Sequence, residues 1–97
     1  LVVATKSLLM GEAAAPGQVA AIEAALVGDG VDRVIHLRTM HLGPDELLVG
    51  AKLAMPAAAT LRDVASAIDA AEFLVRTAVP IARVIYLEPD LDRSVRY

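Results

Sequence analysis

Residues 31–55 read VDRVIHLRTMHLGPDELLVGAKLAM, and this stretch decides the fold. Apolar residues recur at every second position on both sides of a Gly43-Pro44-Asp45 sequence. A period of two is typical of a half-buried strand, and glycine, proline and aspartate favour a turn. We therefore predict an antiparallel hairpin with strands over Val31–Met40 and Leu47–Met55.

Two helices are predicted to flank this hairpin. The first begins at Pro16, because proline suits the first helical position. It ends at Gly28, which can adopt the left-handed conformation of a C-cap. The second begins after Thr60, which can form a weak capping box with Asp63. Each helix has one apolar stripe, made of Val19, Ile22 and Leu26 in the first and of Leu61, Val64, Ile68, Ala71 and Val75 in the second.

A third strand is predicted over Ala82–Leu87, ended by Pro89. The second strand, the second helix and the third strand form a right-handed crossover, which places the two strands parallel. The result is an α+β, ferredoxin-like αββαβ domain: a three-stranded mixed sheet with two helices on one face. We assign residues 16–89 to this domain, 1–15 to a linker and 90–97 to a charged tail.

Strand alternation separates the residues of the two sheet faces. The face predicted to lie under the helices is apolar: Ile35, Leu37, Leu47, Val49, Ala51, Leu53, Ile85 and Leu87. The other face is open and mixed: Val34, His36, Arg38, Met40, Leu48, Lys52, Val84, Tyr86 and Glu88. Tyrosine, methionine and arginine are enriched in interface cores. We predict a two-fold interface that contains Val34, His36, Arg38, Met40, Tyr86 and Glu88. The alternative is an exposed sheet with scattered apolar residues.

Composition excludes several classes of function. The 97 residues suffice for one domain, the net charge is −3, and the chain has no cysteine. No basic cluster or aromatic platform is visible, so we expect no nucleic-acid partner. Thiolate metal sites and disulfides are ruled out. No serine has a base placed by a recognisable motif, and no phosphate-binding loop is present, so we do not expect an enzyme.

Metal ligation is the chemistry that the remaining polar residues could support. His36 and His41 are five positions apart and so point to opposite faces of one regular strand. His36 could converge with Glu88 across the open face, whereas His41 lies near the turn acids Asp45 and Glu46. The candidate ligands are therefore His36, His41 and Glu88, with Zn²⁺ or another divalent cation as the candidate ion. Alternatively, His36 is a hydrogen-bonded interface residue and His41 a solvated turn residue.

Three segments resemble the cytoplasmic C-terminal domain of cation diffusion facilitator transporters. They are SLLMGE at 7–12, HLRTMHLGP at 36–44 and VIYLEP at 84–89. The resemblance implies a homodimer at the cytoplasmic face of a membrane, attached to the membrane domain of a transporter that exports Zn²⁺ or related ions in exchange for protons. Residues 1–3 would then end the last membrane helix.

The chain departs from the zinc-binding members of that family at two positions. Those members carry a histidine where this chain has Lys52 and another where it has Leu87. His36 stands where relatives often carry an aspartate. The resemblance therefore implies dimerisation more strongly than metal sensing.

A different class of function is also compatible with the predicted fold. It is a free-standing ferredoxin-like module that binds a small regulatory ligand, such as an amino acid, at Gly28–Val31 and the sheet edge.

Overall fold

The computed structural model describes residues 11–94, which form α1 (Pro16–Leu26), β1 (Arg33–Gly43), β2 (Glu46–Met55), α2 (Leu61–Ala78) and β3 (Ala82–Leu91). The predicted αββαβ order is confirmed. The segment 1–10, with the proposed membrane-helix end at 1–3, and residues 95–97 of the predicted tail lie outside the described residues.

The sheet has the strand order β1-β2-β3. The β1–β2 pair is antiparallel and the β2–β3 pair is parallel, as the crossover through α2 requires. Leu47, Val49 and Leu53 of the central strand are fully buried under the two helices. The ferredoxin-like prediction is therefore confirmed, and no helix within residues 11–94 lies on the opposite face of the sheet.

The second helix begins as predicted and turns most of the predicted stripe toward the core, with Val64 packed against it and Ala71 and Val75 buried. The Thr60 hydroxyl accepts a hydrogen bond from the Asp63 N–H at 3.1 Å, and the Thr60 N–H donates to the Asp63 carboxylate at 3.0 Å. The buried residues are Ala67, Ala71 and Val75. Leu61 is 84% exposed, so its predicted place in the apolar stripe is wrong.

The turn after α1 uses a different glycine from the one predicted. Gly30 has the positive φ, 87°, whereas the helix ends at Leu26 with Val27 in an extended conformation. An added Cβ at Gly30 would lie 2.9 Å from the Cβ of Ala67. The turn therefore packs so closely on α2 that only glycine fits there.

A bulge interrupts β1 and corrects one predicted face. Val34 pairs with Leu53 and His36 with Lys52, so Ile35 is the extra, unpaired residue. Val34 consequently packs against the core on the covered face. Its predicted place on the open face is wrong, because strict alternation from His36 does not hold across a bulge.

The start of the described chain is fastened to β1 by backbone hydrogen bonds. Residues 11–14, here called the strap, lie along the edge of this strand: the Gly11 N–H donates to the His41 carbonyl, and the His41 N–H donates to the Glu12 carbonyl, both at 2.7 Å.

The last strand is longer than predicted. It continues through Pro89 to Leu91, so the prediction that Pro89 ends β3 is wrong. Proline is tolerated there because β3 is an edge strand.

Candidate functional site

The uncovered side of the sheet, here called the open face, consists of three rows of residues that pair across the strands. Within each row a residue of β2 lies between one of β1 and one of β3. The rows are His36–Lys52–Glu88, Arg38–Gly50–Tyr86 and Met40–Leu48–Val84. Tyr86 is 69% and Met40 39% exposed.

The centre of the open face is a shallow depression over Gly50. Because this residue has no side chain, Arg38 and Tyr86 stand on either side of bare backbone. The depression has a volume of about 520 Å³, and His36, Lys52 and Glu88 form one end of its lining. A Cβ added at Gly50 would have no atom within 4 Å, so the space above it is free as far as the described part of the chain goes. It can therefore receive a side chain from outside.

A charged cluster lies at one end of this depression. The Lys52 ammonium is 3.7 Å from a carboxylate oxygen of Glu88 and 3.7 Å from one of Asp90. The Arg93 guanidinium donates to the same Asp90 oxygen, Oδ2, at 2.7 Å. The Arg93 hydrogen bond, the Leu91 N–H and the charges of Arg93 and Lys52 hold the pKa of Asp90 below its usual value.

Beyond that cluster, Asp92, which follows β3, contacts Arg33 at the start of β1 and also Ser94. We call this set of contacts the clasp. Arg33 Nε lies 3.1 Å from Asp92 Oδ1. The Ser94 hydroxyl and N–H both donate to the same carboxylate oxygen. These bonds from Ser94, with a further contribution from Arg33, lower the pKa of Asp92 although burial opposes the shift. Ala54, between the two outer strands at this point, is fully buried.

Five of the six predicted interface residues lie on one surface. His36, Arg38 and Met40 from β1 and Tyr86 and Glu88 from β3 all belong to the open face. The sixth, Val34, packs against the core instead. Their role in an interface between two chains stays a prediction.

His41 lies apart from the other candidate ligands. It is 1% exposed on the covered side, where it pairs with the buried Leu47. Its Nδ1 is 3.0 Å from the Gly43 carbonyl oxygen, which makes Nδ1–H the donor. The alternative interpretation of His41 as a solvated turn residue is therefore wrong. His41 is also separated from His36, because His41 is buried on the covered face whereas His36 lies on the open face.

The residues present on the open face do not fit a metal ion within one chain. Among residues 11–94, no three histidine, aspartate or glutamate side chains are grouped closely enough to hold one. His36 and Glu88 are both in the first row, but the residue between them is the cation Lys52. Ligation by His36 and Glu88 stays a prediction that depends on moving this ammonium.

Sequence reasoning missed three contributors to this surface: Gly50, Asp90 and the clasp. Gly50 could have been found, because a glycine in a predicted central strand signals a close approach or an open space. The sequence prediction assigns Asp90 to a charged tail, because Pro89 indicates the end of the strand.

Comparison with solved structures identifies the class of domain that has this architecture. The fold matches that of the MamM C-terminal domain, which belongs to the cation diffusion facilitators, so the resemblance seen in the sequence is confirmed at the level of the fold. The solved structures include several variants of that domain. The nickel form of an aspartate-to-asparagine variant has a TM-score of 0.75 and 16% identity, covering 81% of this chain and 100% of that one.

Two further MamM structures give the same result. A histidine-to-alanine variant has a TM-score of 0.75 and 17% identity, over 82% of this chain and 100% of that one. The cadmium form of an aspartate-to-glutamate variant has a TM-score of 0.74 and 16% identity, over 80% of this chain and 98% of that one.

No family model matches the sequence, and no curated protein matches it either. Neither α1 nor α2 has the length and hydropathy needed to cross a membrane.

Proposed function

We propose that this chain is the cytoplasmic dimerisation and regulatory domain of a cation diffusion facilitator that exports a divalent, zinc-type cation. The observation that supports this most is the fold, which matches the whole of a solved MamM C-terminal domain at a TM-score of 0.75. Variants of the MamM C-terminal domain are known in nickel, cadmium and copper forms, so domains with this fold are studied with divalent metals. The partners are a second copy of the chain and the membrane domain of the same transporter, and the role is not enzymatic.

The open face is the surface through which we infer that two copies associate. It combines exposed apolar side chains, Tyr86 and Met40, with the paired charges of Lys52 and Glu88. Interface cores are enriched in tyrosine, methionine and arginine and contain few unpaired charges. In a two-fold arrangement, the depression over Gly50 of one copy can receive the exposed Tyr86 of the other.

The substitution Gly50→Val tests this surface without disturbing the single chain. The added side chain meets no atom within 4 Å of its Cβ, and valine is favoured in strands. If the depression receives a partner side chain, overpacking costs about 1–3 kcal/mol, which weakens the dimer by roughly fivefold to a hundredfold. We expect sedimentation equilibrium of the 97-residue chain to show that loss, with circular dichroism unchanged.

The matched control is Gly17→Val on α1, where an added Cβ also meets nothing within 4 Å. We expect it to leave the dissociation constant unchanged. A wild-type chain that is monomeric at millimolar concentration, or a Gly50→Val chain that dimerises as well as wild type, would contradict association through the open face. The transporter context has its own test, since the reading frame before Leu1 should encode a run of about 20 apolar residues.

The small-ligand module has no specific observation in its favour. A surface depression does lie beside Gly30, between the turn after α1 and the start of α2. However, the Thr60 and Asp63 side chains already satisfy backbone N–H groups at that end of the helix. A saturable thermal shift with a free amino acid would restore this alternative.

A further inference from the structure

The open face carries a cation of its own between two carboxylates. Lys52 is the middle residue of the first row, with His36 on one side and Glu88 on the other. Its Nζ lies 3.7 Å from both Glu88 Oε2 and Asp90 Oδ2, and its side chain is only 32% exposed. Histidine and carboxylate side chains are the ligand types that a zinc-type cation takes, and His36, Glu88 and Asp90 are all neighbours of Lys52 in this part of the sheet. Within residues 11–94 they are not grouped closely enough to form a site, and an ammonium lies between the two carboxylates instead.

The charges of this cluster already balance. Lys52 and Arg93 contribute two positive charges, and Glu88 and Asp90 contribute two negative ones. Carboxylates gathered at an interface repel each other unless a cation neutralises them, and a buried charge is costly unless it is paired. A divalent ion added to the balanced cluster would be repelled by the ammonium, whereas one added after its removal would meet two carboxylates and a single guanidinium.

We propose that Lys52 makes association through the open face independent of metal. Its ammonium neutralises Glu88 and Asp90, which a divalent cation would otherwise have to do, and it keeps such a cation away from His36 and the two carboxylates. The part concerning association rests on the proposed function. The exclusion of the cation is a property of a single chain and stands apart from it.

Zn²⁺ titration calorimetry tests the exclusion directly. We expect the wild-type chain and Lys52→Arg, which keeps the charge, to bind Zn²⁺ without saturation. Lys52→Ala should bind it saturably and at least tenfold more tightly than wild type. The gain should disappear in the double variant Lys52→Ala/Glu88→Ala. Arg62→Ala, which removes an exposed cation from α2, is the matched control and should behave as wild type.

Two calorimetric results would overturn the proposal: saturable Zn²⁺ binding by the wild-type chain, or no tighter binding by Lys52→Ala. Circular dichroism verifies the fold of each variant. If alanine weakens β2, Lys52→Gln removes the charge while keeping most of the length of the side chain, and the same two results decide.

Sedimentation velocity in chelator and in Zn²⁺ separates this proposal from the proposed function. A wild-type dimer of equal stability in both solutions, together with a Lys52→Ala dimer that is tighter in Zn²⁺, supports the role of Lys52. A wild-type dimer that dissociates in chelator overturns it. Monomers in every solution refute association through the open face, and the calorimetry then still decides whether Lys52 excludes the cation.

Discussion

Gly30 is the residue whose identity the fold constrains most tightly. Its φ of 87° is one that residues with a side chain rarely adopt, and an added Cβ would lie 2.9 Å from the Cβ of Ala67. The two restrictions are independent, since the first concerns the local backbone and the second the packing of the turn on α2. Both act on the connection that leads from α1 into β1.

Replacing Gly30 by alanine should therefore destabilise the fold. We expect Gly30→Ala to lower the free energy of unfolding by about 1–3 kcal/mol, from backbone strain and the close contact together. Urea denaturation measures the change. Gly28→Ala is the control, because an added Cβ there meets nothing within 4 Å and its φ is not positive. Equal stability of the two variants would show that the turn relaxes freely.

The same pair of glycines shows where sequence reasoning stops at the residue scale. Gly28-Asp29-Gly30 offers two glycines after a helix, and both satisfy the rule for a left-handed cap. The choice between them depends on Ala67, which is distant in the chain and approaches only in the folded state. The sequence therefore predicts a glycine turn but not which glycine has the positive φ.

At the scale of the elements, the strap links the start of the described chain to β1. Besides the two backbone hydrogen bonds at His41, the Ala14 N–H donates to the Thr39 hydroxyl at 2.9 Å, and Ala14 is buried. These contacts hold the segment before α1 along the edge of the strand that carries His36, Arg38 and Met40.

Thr39→Val removes the hydroxyl of β1 that accepts a hydrogen bond from the strap, while keeping the shape of the side chain. The buried Ala14 N–H then lacks its partner, which costs about 1 kcal/mol. We expect a loss of that size in urea denaturation and faster hydrogen exchange at the Ala14 amide. Thr77→Val is the control, since that hydroxyl donates to the Phe73 carbonyl on the exposed side of α2. An unchanged exchange rate at Ala14 would mean that the strap is held without Thr39.

Most of the candidate site could be predicted from the sequence because the register of the hairpin is regular from His36 to His41. Alternation alone places His36, Arg38 and Met40 on one face, and the parallel crossover adds Tyr86 and Glu88. Val34 lies beyond the bulge at Ile35, which no local signal reveals. The burial of His41 depends on long-range structure in the same way, because the strap runs beside it.

At the scale of the whole molecule, the clasp joins the end of β3 to the start of β1. Asp92 is 4% exposed, and its carboxylate is held by Ser94 and Arg33. Because these bonds require the ionised form, the pKa of Asp92 in the folded chain lies below the usual 3.8. The closing contact of the sheet is therefore sensitive to acid.

The sign of this dependence follows from the lowered pKa. The contribution of Asp92 to stability is fully present above the pKa of the unfolded chain and is lost as the pH falls through the lower pKa of the folded chain. We expect the difference in free energy of unfolding between wild type and Asp92→Asn to be constant above about pH 5 and to shrink below about pH 4. Urea denaturation from pH 6 to pH 3 measures it.

Asp69→Asn, on the exposed side of α2, supplies the baseline for a lost carboxylate elsewhere. A difference between wild type and Asp92→Asn that stays constant down to pH 3 would contradict the role of the clasp. Asp90, whose pKa is also lowered, is present in both chains and so cancels from the comparison.

The strap has a consequence for how this sheet meets other sheets. An edge strand with free N–H and C=O groups is a template for strand addition, which leads to aggregation or amyloid. The strap occupies the outer edge of β1 around His41, and Pro89 removes a donor from β3 at the opposite edge. Both edges thus disfavour growth of the sheet by edge-to-edge pairing, which leaves the open face as the uncovered surface of the sheet.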